Sequence, residues 1–138
     1  MKTSIIIFTD SRLEYTKLCI DSIRKYTKGR DYEIIVVDNN SADGTVEWLK
    51  EQDDIIKILN IENLGFARKL NQGIGFARGD NIIFLNNDVV VTPRWLDNLT
   101  ACLYSSQTVG AVSPVTNNRE CNQAINTNYK NIDDMFEF

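Results

Sequence analysis

The sequence predicts an α/β fold, with a mainly parallel sheet that carries helices on both faces. Short apolar runs of strand length alternate with longer segments of helical period. The apolar runs are nearly continuous, which is typical of strands buried on both faces of a parallel sheet. Several of them are followed directly by polar residues, as happens where parallel strands end at a ligand-binding edge. This alternation favours parallel crossover units over hairpins.

Five apolar runs have strand length and are bounded by polar or turn-forming residues. The predicted strands are residues 4–8, 33–37, 55–59, 81–85 and 109–113. Between them, apolar residues recur at steps of three and four, which predicts amphipathic helices. The helical segments lie within residues 15–26, 66–77 and 95–103, with a shorter one that begins near Asp43. Thr92 and Pro93 predict the start of the last helix, as its N-cap and first residue.

The composition indicates a globular chain without a strong charge bias. Its 138 residues fit one domain with a real core. Fifteen basic and nineteen acidic residues give a formal net charge of -4. Because no overall basic field is available, nucleic acid is not an expected partner. The chain has no histidine, which excludes within these residues the mechanisms that need an imidazole base.

The cysteines and the length of the apolar runs bear on the cellular compartment. Cys19, Cys102 and Cys121 are odd in number and widely spaced, so we expect reduced thiols and no disulfide or zinc framework. The first apolar run is too short for a signal peptide or a membrane span. We therefore expect a cytoplasmic location, with membrane association left open for a longer form of the protein.

Polar residues follow three of the predicted strands at the point where each strand ends. Thr9 and Asp10 follow the first strand, Asp38 the second, and Asn86-Asn87-Asp88 the fourth. Because carboxyl ends of parallel strands meet at one edge of the sheet, these residues are expected to converge there. Turn formation is the alternative, since asparagine and aspartate also dominate turns. Asp38 is the best ligand-binding candidate, because its carboxylate can accept hydrogen bonds from a base imide or ribose hydroxyls.

A glycine-containing segment before the third helix is a candidate phosphate site. Gly65 permits close backbone approach, and the helix start with Arg68 or Lys69 offers positive potential to a diphosphate. A tight turn followed by a solvated basic face explains the two cations equally well. The other glycines match neither a dinucleotide fingerprint nor a P-loop. Hydride transfer and P-loop hydrolysis therefore lose their main support.

Four ordered motifs resemble the family 2 glycosyltransferases. The motifs are residues 4–9, residues 36–45, residues 63–67 with Asn71 and Gly73, and residues 79–88 with Pro93 and Trp95. Each motif is weak singly, but their order along nearly the whole chain makes the resemblance specific. It implies a Rossmann-like GT-A fold and an inverting enzyme that transfers a sugar from a nucleotide diphosphate-sugar donor.

The resemblance also implies roles for individual residues. Thr9 and Asp38 would line the nucleoside pocket, and Asp88 would ligate Mg²⁺ or Mn²⁺ bridging the diphosphate oxygens. Asn86 stands where the family's Asp-x-Asp motif has its first aspartate, which removes one negative charge from the metal site. The implied donor-binding residues are Thr9, Asp10, Asp38, Asn40, Arg68, Asn71, Asn86 and Asn87.

The catalytic base and the acceptor complete what the resemblance implies. The family's base is an acid in a later segment, so it is expected beyond Phe138. Residues 1–118 are then the donor-binding domain, and residues 119–138 are a polar tail or the start of a truncated acceptor-side segment. The expected acceptor is a glycan or lipid-linked hydroxyl in cell-surface polysaccharide biosynthesis.

Two alternative functions stay open. A nucleotidyltransferase can share this architecture but would need a basic, glycine-rich loop after its first strand, where residues 9–12 have no glycine. A noncatalytic nucleotide-binding or interaction module is favoured by the asparagine substitutions and by the missing base.

Overall fold

Strands and helices alternate through the first of two compact units, Met1–Val91 and Thr92–Phe138. The structure is a computed structural model that describes residues 1–117 and 123–137. The first unit contains β1 (Thr3–Thr9), α1 (Leu13–Tyr26), β2 (Tyr32–Asn39), α2 (Thr45–Lys50), β3 (Ile55–Asn60), α3 (Gly65–Phe76) and β4 (Asn81–Asn86). The predicted α/β class and the first four predicted strands are confirmed. The predicted boundary after residue 118 and Cys121 lie outside the described residues.

The four strands form one parallel sheet in the order β3-β2-β1-β4. The register pairs Thr9 with Asp38 and Phe8 with Asn86, so the strands end side by side. After β3 the chain crosses to the far side of β1, which makes the gap between β1 and β4 a topological switch point. Ligand crevices of open α/β sheets lie outside the carboxyl ends of the strands at such a point.

Helices cover both faces of the sheet. Ile6, Phe8, Ile35 and Val37 share one face, and Leu70 of α3 packs against them. Thr9 points to the opposite face, where its hydroxyl bonds that of Thr16 in α1 at 3.2 Å. The apolar residues at the middle of β1 are fully buried. Burial on both faces is what the unbroken apolar runs predict.

The predicted fifth strand at residues 109–113 is wrong. The second unit contains α4 (Trp95–Leu103), α5 (Ile132–Glu137) and an isolated parallel bridge between Thr116 and Ala124, and residues 109–113 have no strand conformation. This run contains glycine, alanine and serine, which bury little apolar surface, and glycine weakens a strand interior. None of the described helices combines the length and apolar character needed to cross a membrane.

The start of α4 also differs from its prediction. The helix begins at Trp95, and Arg94 before it is left-handed, with φ 62° and no side-chain cap. Thr92 instead closes a turn, because its carbonyl accepts the N–H of Trp95 at 3.2 Å. A left-handed residue cannot continue a right-handed helical path, so Thr92 and Pro93 precede the helix and do not begin it.

Candidate functional site

Polar residues at the carboxyl ends of the strands form a continuous edge of the first unit. We call this edge the rim and define it as residues 9–12, 38–41, 63–65 and 86–88, which end the strands or follow them. The switch point between β1 and β4 lies within this rim. The sequence prediction that strand ends converge here holds for Thr9, Asp38 and Asn86, through the register of β1 with its two neighbours.

Asp38 is the most unusual residue of the rim. Its side chain is 0% exposed, and its Oδ2 accepts the backbone N–H of Ser41 at 3.0 Å. Among the described residues, Oδ1 of Asp38 is buried without any hydrogen-bond partner. An unpaired buried acceptor destabilises a fold, and such atoms are rare. Oδ1 is therefore a buried acceptor that no described residue satisfies.

Thr9 and Asn87 join the ends of β1 and β4. The amide Nδ2 of Asn87 lies 3.2 Å from Oγ1 of Thr9, 3.0 Å from the carbonyl of Ser11 and 3.0 Å from Oγ1 of Thr16. Thr9 is buried among these groups. The two predicted donor-binding residues are thus brought together, and the polar atoms named here bond to protein groups.

The segment after β1 has an unusual backbone. Ser11 and Arg12 are both left-handed, with φ 68° and 67°, and Asn40 across the rim has φ 67°. Non-glycine residues in this region are strained and persist only where the surroundings hold them. Ser11 donates its N–H to Oγ of Ser41 at 2.6 Å, which ties the β1 and β2 ends together. The rim is therefore built from two mutually supporting loops.

Asp88 is the predicted metal ligand and lies at the end of β4. Its side chain is 47% exposed, and its Oδ2 is 4.0 Å from Nη1 of Arg12. The described residues contain no group of three or more acidic, cysteine or histidine side chains that could hold a metal ion. A single exposed carboxylate fits Mg²⁺ or Mn²⁺ where water and phosphate oxygens supply the remaining ligands. The donor set thus fits a metal that is shared with a bound diphosphate.

Cys19 lies beneath the rim and remains a thiol. Burial and then the negative charge of Asp88 raise the pKa of Cys19 to about 12. Its Sγ donates to the carbonyl of Asn86 at 3.7 Å. Because the thiolate is the reactive and metal-binding form, Cys19 provides neither a nucleophile nor a metal ligand at neutral pH.

The other predicted residues are exposed and differ in position. Asp10, Asn40 and Asn86 lie on the rim itself. Arg68 and Asn71 lie on α3, whose Gly73 faces Ile6 of the sheet. At about 100° per residue, both point away from the sheet, and neither forms a hydrogen bond with the rim in the part of the chain that the structure describes. The structure does not bring these two together with the others.

Two features of the rim escaped the sequence analysis. Arg12 reaches Asp88 only because two successive residues are left-handed, and no residue type there signals that conformation. The sequence indicates Asn39 and Asn63 only as parts of motifs, whereas in the structure they hydrogen-bond to each other. The position of Asn39 directly after a buried strand was an available signal, since alternation puts its side chain on the opposite face from Asp38.

The fold and the rim define an α/β protein with polar residues gathered at the carboxyl ends of parallel strands. The sequence model of the family Glycosyl transferase family 2 matches residues 4–135, nearly the whole chain. The chain belongs to the family 2 glycosyltransferases, as its motifs indicated.

Two relatives illustrate the similarity in sequence. The chain is 29% identical over 99 residues to the putative glycosyltransferase EpsH of Bacillus subtilis (strain 168), covering 70% of this chain and 28% of EpsH. It is 32% identical over 116 residues to the uncharacterized glycosyltransferase alr2836 of Nostoc sp. (strain PCC 7120), covering 81% of this chain and 36% of that protein. The chain thus spans about a third of the length of these relatives.

Solved structures agree with the fold. The mannosyltransferase PcManGT from Pyrobaculum calidifontis, in complex with GDP-Man and Mn²⁺, is similar with a TM-score of 0.73 and 28% identity. The match covers 82% of this chain and 35% of PcManGT. Residues 1–349 of S. aureus TarS, in complex with UDP, match with a TM-score of 0.67 and 22% identity over 75% of this chain and 32% of that 1–349 chain. The predicted GT-A fold is confirmed.

Proposed function

We propose that the rim binds a nucleotide diphosphate-sugar, the donor for transfer of a sugar to an acceptor hydroxyl. The observation that carries this proposal is the buried Oδ1 of Asp38, which has no partner among the described residues. The N–H of a base imide or a ribose hydroxyl would satisfy this oxygen. Membership of a glycosyltransferase family and the position of Asp38 at the carboxyl edge of the sheet, beside the switch point, support the same ligand.

The proposed roles follow from where each side chain lies. Asp38 would accept a hydrogen bond from the nucleoside, while Asp10 and Asn40 would border the same pocket from the exposed side. Thr9 and Asn87 would shape the pocket by holding β1 to β4. Asn86 would meet the ribose or diphosphate from the end of β4. Arg68 and Asn71 would reach the donor only from the outer side of α3.

Asp88 would hold a divalent ion, Mg²⁺ or Mn²⁺, together with the donor diphosphate. When bound, the ion would neutralise charge that develops on the leaving nucleoside diphosphate. The complex of the similar PcManGT with GDP-Man and Mn²⁺ supports this proposal. Arg12 would contribute a second positive charge beside Asp88, which suits a site where asparagine replaces the first acid of the motif.

The proposed reaction is direct displacement at the anomeric carbon with inversion. The bond from that carbon to the diphosphate breaks, and the nucleoside diphosphate leaves with the electron pair. A bond to the acceptor oxygen forms, and the acceptor proton passes to a carboxylate base that we place beyond Phe138. This chain would then supply the donor half of the enzyme.

The setting we propose is cytoplasmic synthesis of a cell-surface polysaccharide, with a glycan or lipid-linked acceptor. The chain is 31% identical over 115 residues to the O-antigen biosynthesis protein RfbC of Myxococcus xanthus, covering 80% of this chain and 9% of RfbC. This similarity supports the type of pathway and not a particular acceptor.

Calorimetric titration tests the binding site. UDP and GDP are titrated into the wild-type chain with Mn²⁺ and, separately, with a chelator. We expect heat of binding for at least one nucleotide, a loss of most of it with chelator, and at least tenfold weaker binding for Asp38→Ala and Asp88→Ala. Asp80→Ala is the matched control, because Asp80 accepts the N–H of Lys2 at the opposite end of the sheet. Unchanged binding in the two rim variants would reject the site.

A noncatalytic nucleotide-binding module is the second candidate. It is favoured by Asn87, whose amide bonds three protein acceptors at the position next to the metal ligand. The two candidates differ in turnover of a donor by a longer form of the protein that contains the proposed base. Release of nucleoside diphosphate from the donor in the presence of acceptor supports the enzyme, and binding without release supports the module.

A further inference from the structure

We infer that Asn39 is a positioning residue for the donor site, and this inference rests on the proposed function. Asn39 ends β2 directly after Asp38, and it is 2% exposed. Its side chain shares a face with Ile35 and Val37, the face that α3 covers. The side chain of Asn39 thus lies on the α3 side of the sheet, opposite to that of Asp38, where it contacts the segment that leads into α3.

The hydrogen bonds of Asn39 fix the segment 63–65. Its Oδ1 accepts the N–H of Leu64 at 3.0 Å, and its Nδ2 donates to Oδ1 of Asn63 at 2.5 Å. Oδ1 of Asn63 also accepts the N–H of Gly65 at 2.9 Å. Two amide oxygens therefore satisfy two backbone donors of this short segment and the side-chain donor of Asn39.

These bonds require an amide at both positions. Because Leu64 N–H can only donate, the atom of Asn39 that faces it must be the oxygen, and its nitrogen must face Asn63. Because Gly65 N–H also donates, the side-chain oxygen of Asn63 faces Gly65 and Asn39, and the side-chain nitrogen of Asn63 faces Asp10. An aspartate has no donor at neutral pH, so Asn39→Asp would place two acceptors against each other without changing size.

The network ends at a residue proposed to border the nucleoside. Nδ2 of Asn63 donates to Oδ2 of Asp10 at 3.2 Å. Asn39 therefore connects Asp10, which follows β1, and the first turn of α3 to the strand that carries Asp38. Loss of this connection would leave Asp38 in place and free Asp10 and residues 63–65 to move, so the donor would have to order them on binding.

Two measurements test this inference on the chain as it is. The first is amide hydrogen exchange without nucleotide, where we expect Asn39→Asp to lose protection at Leu64 and Gly65 while the amides of β1 stay protected. The second is calorimetric titration of UDP and GDP with Mn²⁺, well below the unfolding temperature of each variant. We expect at least tenfold weaker binding for Asn39→Asp. Asn63→Ala, at an exposed position, should show the same loss without risk to folding.

Gln72→Ala is the matched control. Gln72 and Asn60 form a reciprocal amide pair at 2.9 Å, and Nδ2 of Asn60 also donates to Oδ1 of Asn39 at 3.4 Å. Gln72 itself contacts neither Asn63 nor Asp10 through the hydrogen bonds of the described residues, so Gln72→Ala leaves the path from Asn39 to Asp10 intact. Gln72→Ala should lose some stability and keep its affinity for the nucleotide. If the role of Asn39 were purely structural, Asn39→Asp would behave in the same way. If the wild-type chain binds but Asn39→Asp and Asn63→Ala bind equally well, the inference alone is wrong. If the wild-type chain binds neither nucleotide, the proposed function is wrong and the positioning role falls with it.

Discussion

At the scale of single residues, the unpaired Oδ1 of Asp38 lowers the stability of the fold. Asp38 is buried as a carboxylate, but only one of its two oxygens has a hydrogen-bond partner among the described residues. Burial of a charged group without full hydrogen bonding is unfavourable. A protein keeps such a group where function needs it, and removal then stabilises the fold at the expense of activity.

Asp38→Asn is therefore expected to stabilise the nucleotide-free chain while it weakens nucleotide binding. The amide oxygen can still accept the N–H of Ser41, and the buried charge disappears. We expect the free energy of unfolding to rise by about 1 kcal/mol and nucleotide affinity to fall at least tenfold. Urea denaturation and calorimetry measure the two quantities. A marked loss of stability in this variant would show that Asp38 serves the fold instead.

Glu33, at the opposite end of the sheet, is a stabilising residue with a clear pH signature. Its carboxylate accepts bonds from Nζ of Lys2 at 2.6 Å, Oγ of Ser4 at 2.6 Å and the N–H of Arg78 at 2.7 Å. Burial alone would raise the pKa of Glu33, but these partners lower it from 4.5 to about 2. The folded chain thus binds this proton less readily than the unfolded chain does.

The resulting stability is present above pH 4.5 and is lost as the pH falls toward 2. Because the Glu33 side chain is only 10% exposed, we expect a contribution of roughly 2 kcal/mol at neutral pH. Glu33→Gln should be less stable than the wild type at pH 7, and the difference should narrow by pH 3. Denaturation curves at both values measure it, with Glu14→Gln on the exposed face of α1 as control. An equal gap at both pH values would contradict this account.

At the scale of elements, α3 owes its position to a glycine. A Cβ on Gly73 would overlap Cγ2 of Ile6, a fully buried branched side chain. Gly75, two residues further along the same helix, has open space where a Cβ would lie. The two glycines thus differ in packing while sharing the same helical conformation.

Gly73→Ala and Gly75→Ala should change stability in opposite directions. We expect the first to lower the free energy of unfolding by about 1 to 3 kcal/mol through overpacking against the sheet. The second should raise it by about 0.5 to 1 kcal/mol, since alanine is the better helix former. Urea denaturation of the two variants and the wild type measures both effects. Equal effects from the two substitutions would mean that α3 does not lie as close to β1 as described.

Structure could be predicted from the sequence where one physical rule decides it. Unbroken apolar runs predicted four buried strands, and parallel topology then predicted that Thr9 and Asp38 would end side by side. The strand predicted at residues 109–113 is absent, because a short run with glycine has too little apolar surface to form a strand. The contact between Arg12 and Asp88 could not be predicted from the sequence either. Ser11 and Arg12 have left-handed backbone there, a conformation that neither residue type favours.

At the scale of the whole molecule, the proposed donor site is complete only with its ligand. The first unit supplies a buried acceptor and an exposed carboxylate, and the described residues contain no ready-made metal cluster. Metal and nucleotide should therefore bind as one event, because each supplies ligands or charge that the other needs.

Mn²⁺ alone is accordingly expected to bind weakly. With one carboxylate and Arg12 at 4.0 Å from it, we expect no stoichiometric Mn²⁺ binding below about millimolar concentration without nucleotide. With the nucleoside diphosphate present, the wild-type chain should bind Mn²⁺ at least tenfold more tightly than Asp88→Ala does. Electron paramagnetic resonance of free Mn²⁺ measures both states. Stoichiometric, micromolar Mn²⁺ binding by the nucleotide-free chain would contradict a shared site.

The most direct test of the central claim is to map where a nucleoside diphosphate binds. Amide chemical shifts of the labelled chain are recorded during titration with GDP and with UDP in the presence of Mg²⁺. The account predicts that the largest changes fall at residues 9–12, 38–41 and 86–88, with little change at Lys2, Glu33 and Asp80 at the opposite end of the sheet. Changes confined to that opposite end or to residues 92–117, with the rim unaffected, would contradict it.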